Sequence, residues 1–81
     1  MDAATAKKIS KWKSVSVHVR KYIVDAVRRG RMSVYQYESV DPEMYYDTQK
    51  DAYKLRQLGY NVEFYTVDFT DKPDHKVEIT W

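Results

Sequence analysis

The stretch Tyr53-Lys54-Leu55-Arg56-Gln57-Leu58-Gly59-Tyr60-Asn61-Val62-Glu63-Phe64-Tyr65 changes period at its centre. Up to Leu58 the spacing is helical: Tyr45, Ala52 and Leu55 share one face and Leu58 lies close to it. After Gly59 the period becomes two, with Val62 and Phe64 alternating with Glu63 and Tyr65. The glycine between them suits the left-handed residue that stops a helix. A helix therefore hands over directly to a strand.

Downstream, Val67 and Phe69 continue on the opposite parity, which predicts either a bulge or a strand covered on both faces. Asp71-Lys72-Pro73-Asp74 has turn chemistry, with acids that bond their own backbone and a proline that fixes φ. Val77, Ile79 and Trp81 then alternate with Lys76, Glu78 and Thr80. The spacing predicts a hairpin over about 61–81.

Upstream, Asp41-Pro42-Glu43 combines a capping acid, a proline at the first helical position and an acid in the first turn. That places a helix over about 42–58. Met32-Ser33-Val34-Tyr35-Gln36-Tyr37 is β-prone and makes a possible short strand over 32–37. Ahead of it, Ile9, Trp12, Val19, Ile23 and Ala26 recur at helical steps if Ser16 joins the series. Gly30 follows the basic pair Arg28-Arg29, a fitting C-terminus, so one long helix is expected over about 3–29. Val15, Val17, Val19 and Val24 are β-branched and argue mildly against it; a break near Ser14–Ser16 stays open. The expected fold class is α+β: two helices packed on a small antiparallel sheet with a C-terminal β-hairpin, in one domain spanning 1–81.

Composition agrees. The chain has 81 residues, 43 % hydrophobic and 32 % charged, so a packed core is feasible and outright disorder is not expected. With no cysteine, neither a disulfide nor a cysteine-based zinc site can reinforce a domain this small. No apolar run marks a signal peptide or a membrane span, so the expected location is cytoplasmic, with no membrane contact. Residues 1–31 carry a net charge of +7 and residues 32–81 one of −5, behind an overall +2. Such a dipolar chain suits head-to-tail self-association or an anionic partner.

The segment Leu55-Arg56-Gln57-Leu58-Gly59-Tyr60-Asn61-Val62, closed by Ile79-Thr80-Trp81, resembles the C-terminal half of many small accessory proteins of tailed bacteriophages. In those a helix ends in Leu-Gly-Tyr and a hairpin ends in Ile-x-Trp; an earlier helix ending in glycine, here Gly30, is also common. The resemblance covers about half the chain and implies a fold and a source. It implies roles as virion components, host-takeover factors or inhibitors of host defence, in the host cytoplasm or the virion. It transfers no site residue.

No catalytic constellation is visible. Gly30 and Gly59, the only glycines, already serve as helix stops, so no glycine-rich phosphate loop remains. His18 is expected on a solvated helix face and His75 beside a turn; with Asp71 and Asp74 they match no dedicated metal site. No catalytic residue, metal or cofactor is therefore assigned, and the chain is not expected to be an enzyme. Asp41, Glu43, Asp47 and Asp51 read as helix-dipole charges on a solvated face, ahead of an acidic recognition face.

Two binding readings remain. In one, Lys7, Lys11, Lys21, Arg28 and Arg29 on the basic face of helix one hold a nucleic acid or nucleotide, with Tyr35, Tyr37 and Phe64 as stacking surfaces if the sheet face is open. The acidic second half opposes a polyanion, and no nucleic-acid motif is present, so nucleic acid ranks second. In the favoured reading, eight tyrosines exceed what one small core can hide. Tyr45, Tyr46 and Tyr53 are the expected partner-binding patch, and the partner is another protein, a further copy of the chain, or both.

Overall fold

A computed structural model describes residues 2–69 and 72–81. The elements are α1 (Ala3–Ser14), α2 (Val17–Arg28), β1 (Ser33–Tyr37), α3 (Pro42–Gln57), β2 (Asn61–Phe69) and β3 (Lys72–Thr80). The strands form one antiparallel sheet in the order β1-β3-β2, with the C-terminal hairpin β2-β3 joined by β1. The fold class is the expected α+β, with three helices in place of two.

The long first helix is interrupted. Val15 and Ser16 are extended, with ψ of 143° and 144°, and separate α1 from α2. The break places Val15 in the core at 1 % exposure. Its backbone groups find partners on other elements. Lys54 Nζ donates to the Ser14 carbonyl (3.2 Å), Arg20 Nε to the Val15 carbonyl (3.0 Å), and the Ser16 N–H to Asp51 Oδ2 (2.8 Å). Val19, Ile23 and Ala26 of α2 line the core, while α1 contributes no buried residue. Trp12 packs α1 against the core, stacked on Tyr60 at 6.2 Å, and Tyr60 meets the edge of Trp81 at 5.8 Å.

α2 and α3 both end as the glycines require. Gly30 (φ +73°) and Gly59 (φ +98°) are left-handed. After each, the next N–H reaches back to the helix: Arg31 to the Ala26 carbonyl and Tyr60 to the Leu55 carbonyl. α3 starts where its cap predicts, with Asp41 Oδ1 accepting the Met44 N–H at 3.1 Å. Its buried stripe is Met44, Tyr45, Thr48, Asp51, Ala52 and Leu55, packed over Val62, Val77 and Ile79 of the sheet.

The hairpin register is continuous from Asn61↔Thr80 to Phe69↔Lys72. The parity change is therefore no bulge: Val62 and Phe64 face the helices, while Tyr65 and Val67 lie on the other face. Lys72, Pro73 and Asp74, expected in a turn, are strand residues; Asp71 lies outside the described residues. Pro73 is tolerated because β1 ends opposite Lys76, and the odd-numbered residues of β3 direct their backbone groups toward that side. Among the described residues no helix is long and apolar enough to cross a membrane.

Candidate protein-interaction face

The helices cover one face of the sheet and leave the other open. On an antiparallel sheet the solvated face ordinarily reads polar. Here it carries Tyr35 and Tyr37 from β1, Lys76 and Glu78 from β3, and Glu63, Tyr65 and Val67 from β2. Lys76 sits among the rings, with its Nζ 4.7 Å from the centroid of Tyr35 and 6.0 Å from those of Tyr37 and Tyr65. Such contacts between a cation and ring faces hold both the lysine stem and the tyrosines in place. Tyr35 remains 55 % exposed and Tyr65 45 %.

Beside this cluster Glu63 lies directly opposite Glu78. Like charges facing each other across a strand pair are destabilising. Lys76 Nζ approaches Glu78 at 3.8 Å and offsets only one of the two. The open face thus combines aromatic area with an acidic pair that a basic side chain from outside would relieve.

The expected patch on α3 divides. Tyr45 is 7 % exposed and belongs to the core, edge-on to Phe64 at 5.9 Å. Its burial follows from Met44 and Thr48 sharing its side of the helix. Tyr46 and Tyr53 are exposed on the outward side. Phe64, named as a stacking surface, points at the helices; Tyr65 stands on the open face instead. The period-two pair Tyr35-x-Tyr37 and the off-parity Tyr65 were the available signals, and only the strand pairing unites them.

The basic residues are split by the break at Val15–Ser16. Lys7 and Lys11 belong to α1, where Lys11 bonds Gln57. Lys21 and Arg28 border an open depression of about 410 Å³ along α2, together with His18, Tyr22 and Asp25. Arg29 pairs with Asp25 at 3.3 Å. The five basic residues therefore belong to two helices rather than one, Arg29 as the C-cap of α2.

His18 and the acids also differ from expectation. Asp41 Oδ2 accepts from Tyr22 Oη (2.7 Å) and contacts His18 Nε2 (2.8 Å), and Gln36 Nε2 donates to Tyr22 Oη at 3.3 Å. Burial opposes ionisation of Asp41, but the Tyr22 hydroxyl, the Met44 N–H and His18 together hold its carboxyl below the usual aspartate value. The Tyr22 hydroxyl is pushed up by bonding that carboxylate and by burial. Asp51, read as solvated, is 2 % exposed. These are joints between elements: His18 and Tyr22 of α2 meet the cap of α3, and Asp51 of α3 meets the cap of α2. His75 is exposed beside Thr66. Among the described residues no group of three or more His, Cys, Asp or Glu is placed to hold a metal ion.

No protein-family model matches this chain. No curated protein and no solved structure matches it either.

Proposed function

We propose that this chain is a non-enzymatic protein-interaction module, a small accessory protein of the phage type, which docks its open sheet face on a further copy or on a larger viral or host protein. The observation that carries the reading is the open-face cluster of Tyr35, Tyr37 and Tyr65 around Lys76, with Tyr35 and Tyr65 exposed, beside the facing pair Glu63 and Glu78. Tyrosines supply large, stiff contact area, and the unrelieved acids favour a partner bearing lysine or arginine there. The same acids disfavour a polyanion on this face.

The test is photo-crosslinking from position 35, with position 53 on α3 as comparison. Capture of a defined partner from position 35, lost in the double variant Tyr37→Ala/Tyr65→Ala and kept in Tyr46→Ala/Tyr53→Ala, is expected. Capture from position 53 alone would overturn the assignment of the face.

A second reading rests on the depression bordered by Lys21 and Arg28. It takes an anionic ligand, nucleic acid or nucleotide, on α2. Salt-sensitive binding abolished by Lys21→Glu with Arg28→Glu would favour it over docking; indifference to both ligands at low salt would end it.

A further inference from the structure

Among the described residues the sheet ends in a strand whose outer edge is unpaired beyond Val62. β2 is terminal in the order β1-β3-β2, runs nine residues, and keeps an unbroken register with β3. It contains no proline, glycine, lysine or arginine. Proteins that stay monomeric usually blunt such an edge with a basic residue, a proline, a bulge or a short strand, because its free backbone groups template another strand. β1, at the opposite edge, is only five residues long; past its last pair at Lys76 the Glu38 N–H donates to the His75 carbonyl (2.7 Å) and Ser39 bonds the Asp74 side chain. The tip of the hairpin beyond Asp74 is therefore a two-stranded ribbon, an arrangement marginal in water by itself.

The direction of the free groups is fixed by one contact. Arg56 Nη2 donates to the Val62 carbonyl at 2.7 Å, so Val62 points away from β3. By alternation Phe64, Thr66 and Asp68 also direct their N–H and C=O outward. We propose that this edge pairs with the same edge of a second copy, antiparallel about a two-fold axis through Thr66, to make one six-stranded sheet.

Among axes placed at an outward-pointing residue, the strand favours that one. With the axis at Thr66, Thr66 faces Thr66 of the other copy and Phe64 faces Asp68, so all three outward residues exchange hydrogen bonds. Tyr65 then lies opposite Val67, an aromatic against a β-branched residue on the open face. Moving the axis to Asp68 would set two aspartates directly opposite each other. Moving it to Phe64 would require the Val62 carbonyl that Arg56 already occupies. Pairing at Thr66 also joins the two tyrosine faces into one platform. In this respect the inference rests on the interaction reading above, and it names the copy and the edge through which the face is extended.

The experiment uses the absence of cysteine from the chain. Residues facing each other in a hydrogen-bonded antiparallel pair lie about 5.5 Å apart at Cα, within the range a disulfide spans. Thr66→Cys should oxidise readily to a covalent dimer, whereas Gln49→Cys, exposed on α3, should remain largely monomeric. In parallel, sedimentation should give twice 9.7 kDa for the wild-type chain and for Thr66→Val, which keeps the N–H. Thr66→Pro removes an N–H unused within the subunit and should give a folded monomer, with unchanged circular dichroism. A wild-type chain that is monomeric at millimolar concentration, or crosslinking at position 66 no faster than at 49, overturns the pairing. If the dimer survives Thr66→Pro and dissolves in Tyr35→Ala/Tyr65→Ala, the copies meet face to face: the edge proposal fails and the interaction reading stands.

Discussion

Asp51 on α3 accepts the backbone N–H of Ser16, thirty-five residues earlier in the chain, at 2.8 Å. The contact turns an acid in the middle of one helix into the cap of another. Lys54, one turn on, holds the Ser14 carbonyl and lies 3.7 Å from Asp51 Oδ1. The two residues thus close both sides of the break that separates α1 from α2.

Asp51→Ala should therefore cost about 1–3 kcal/mol, since it leaves the Ser16 N–H without its acceptor at a part-buried site. Urea unfolding measures it. A cost below about 0.5 kcal/mol, the range of ordinary surface changes, would mean that the break holds without Asp51.

Acid should loosen the α2–α3 joint through Asp41. Its carboxyl lies below the ordinary value of 3.8 in the folded chain, so its contribution is complete above that value. The contribution is lost as pH falls from 3.8 through the lower folded value. Removing the hydroxyl with Tyr22→Phe takes away a donor that favours the carboxylate, and should move the Asp41 titration upward, as read by carboxyl carbon NMR. No movement would show that the Tyr22 bond is absent in solution.

The interruption of the first helix predicts unequal costs along its apolar stripe. Ile23→Ala, at a fully buried site of α2, should destabilise by about 2–5 kcal/mol. Ile9→Ala on α1, where the side chain is exposed, should stay within about 0.5 kcal/mol. Equal losses in thermal or urea unfolding would restore one continuous core-facing helix.

Relief of the facing acids should separate stability from binding. Glu63→Lys places opposite charges across the strand pair and should stabilise the chain by about 0.2–1 kcal/mol. The same change should weaken capture through the tyrosine face by about tenfold, equivalent to 1.4 kcal/mol. A variant that is more stable and binds equally well would remove the acids from the proposed contact.

The helix and strand boundaries around Asp41, Gly30 and Gly59 were legible because capping and stopping act within a few residues of the chain. The change from helical to alternating period at Gly59 likewise announced the hairpin, and its closing alternation at Val77 and Ile79 announced the core face of β3. The sites were less legible. Tyr45 and Tyr46 are neighbours with the same chemistry, and only the packing of α3 buries one and exposes the other. Tyr35, Tyr37, Tyr65 and Lys76 come from three strands, and no local pattern states that they meet. His18 and Asp51 read as solvated because their partners lie on other helices.

What the chain determines by itself is therefore the type of most elements and the boundaries set at Asp41, Gly30 and Gly59, since those choices depend on backbone preferences and bonds between near neighbours. The interruption at Val15–Ser16, the burial of Asp51 and the aromatic face beside Lys76 were decided only on folding. Each depends on groups distant in sequence supplying a hydrogen bond or a ring contact that no nearby residue offers.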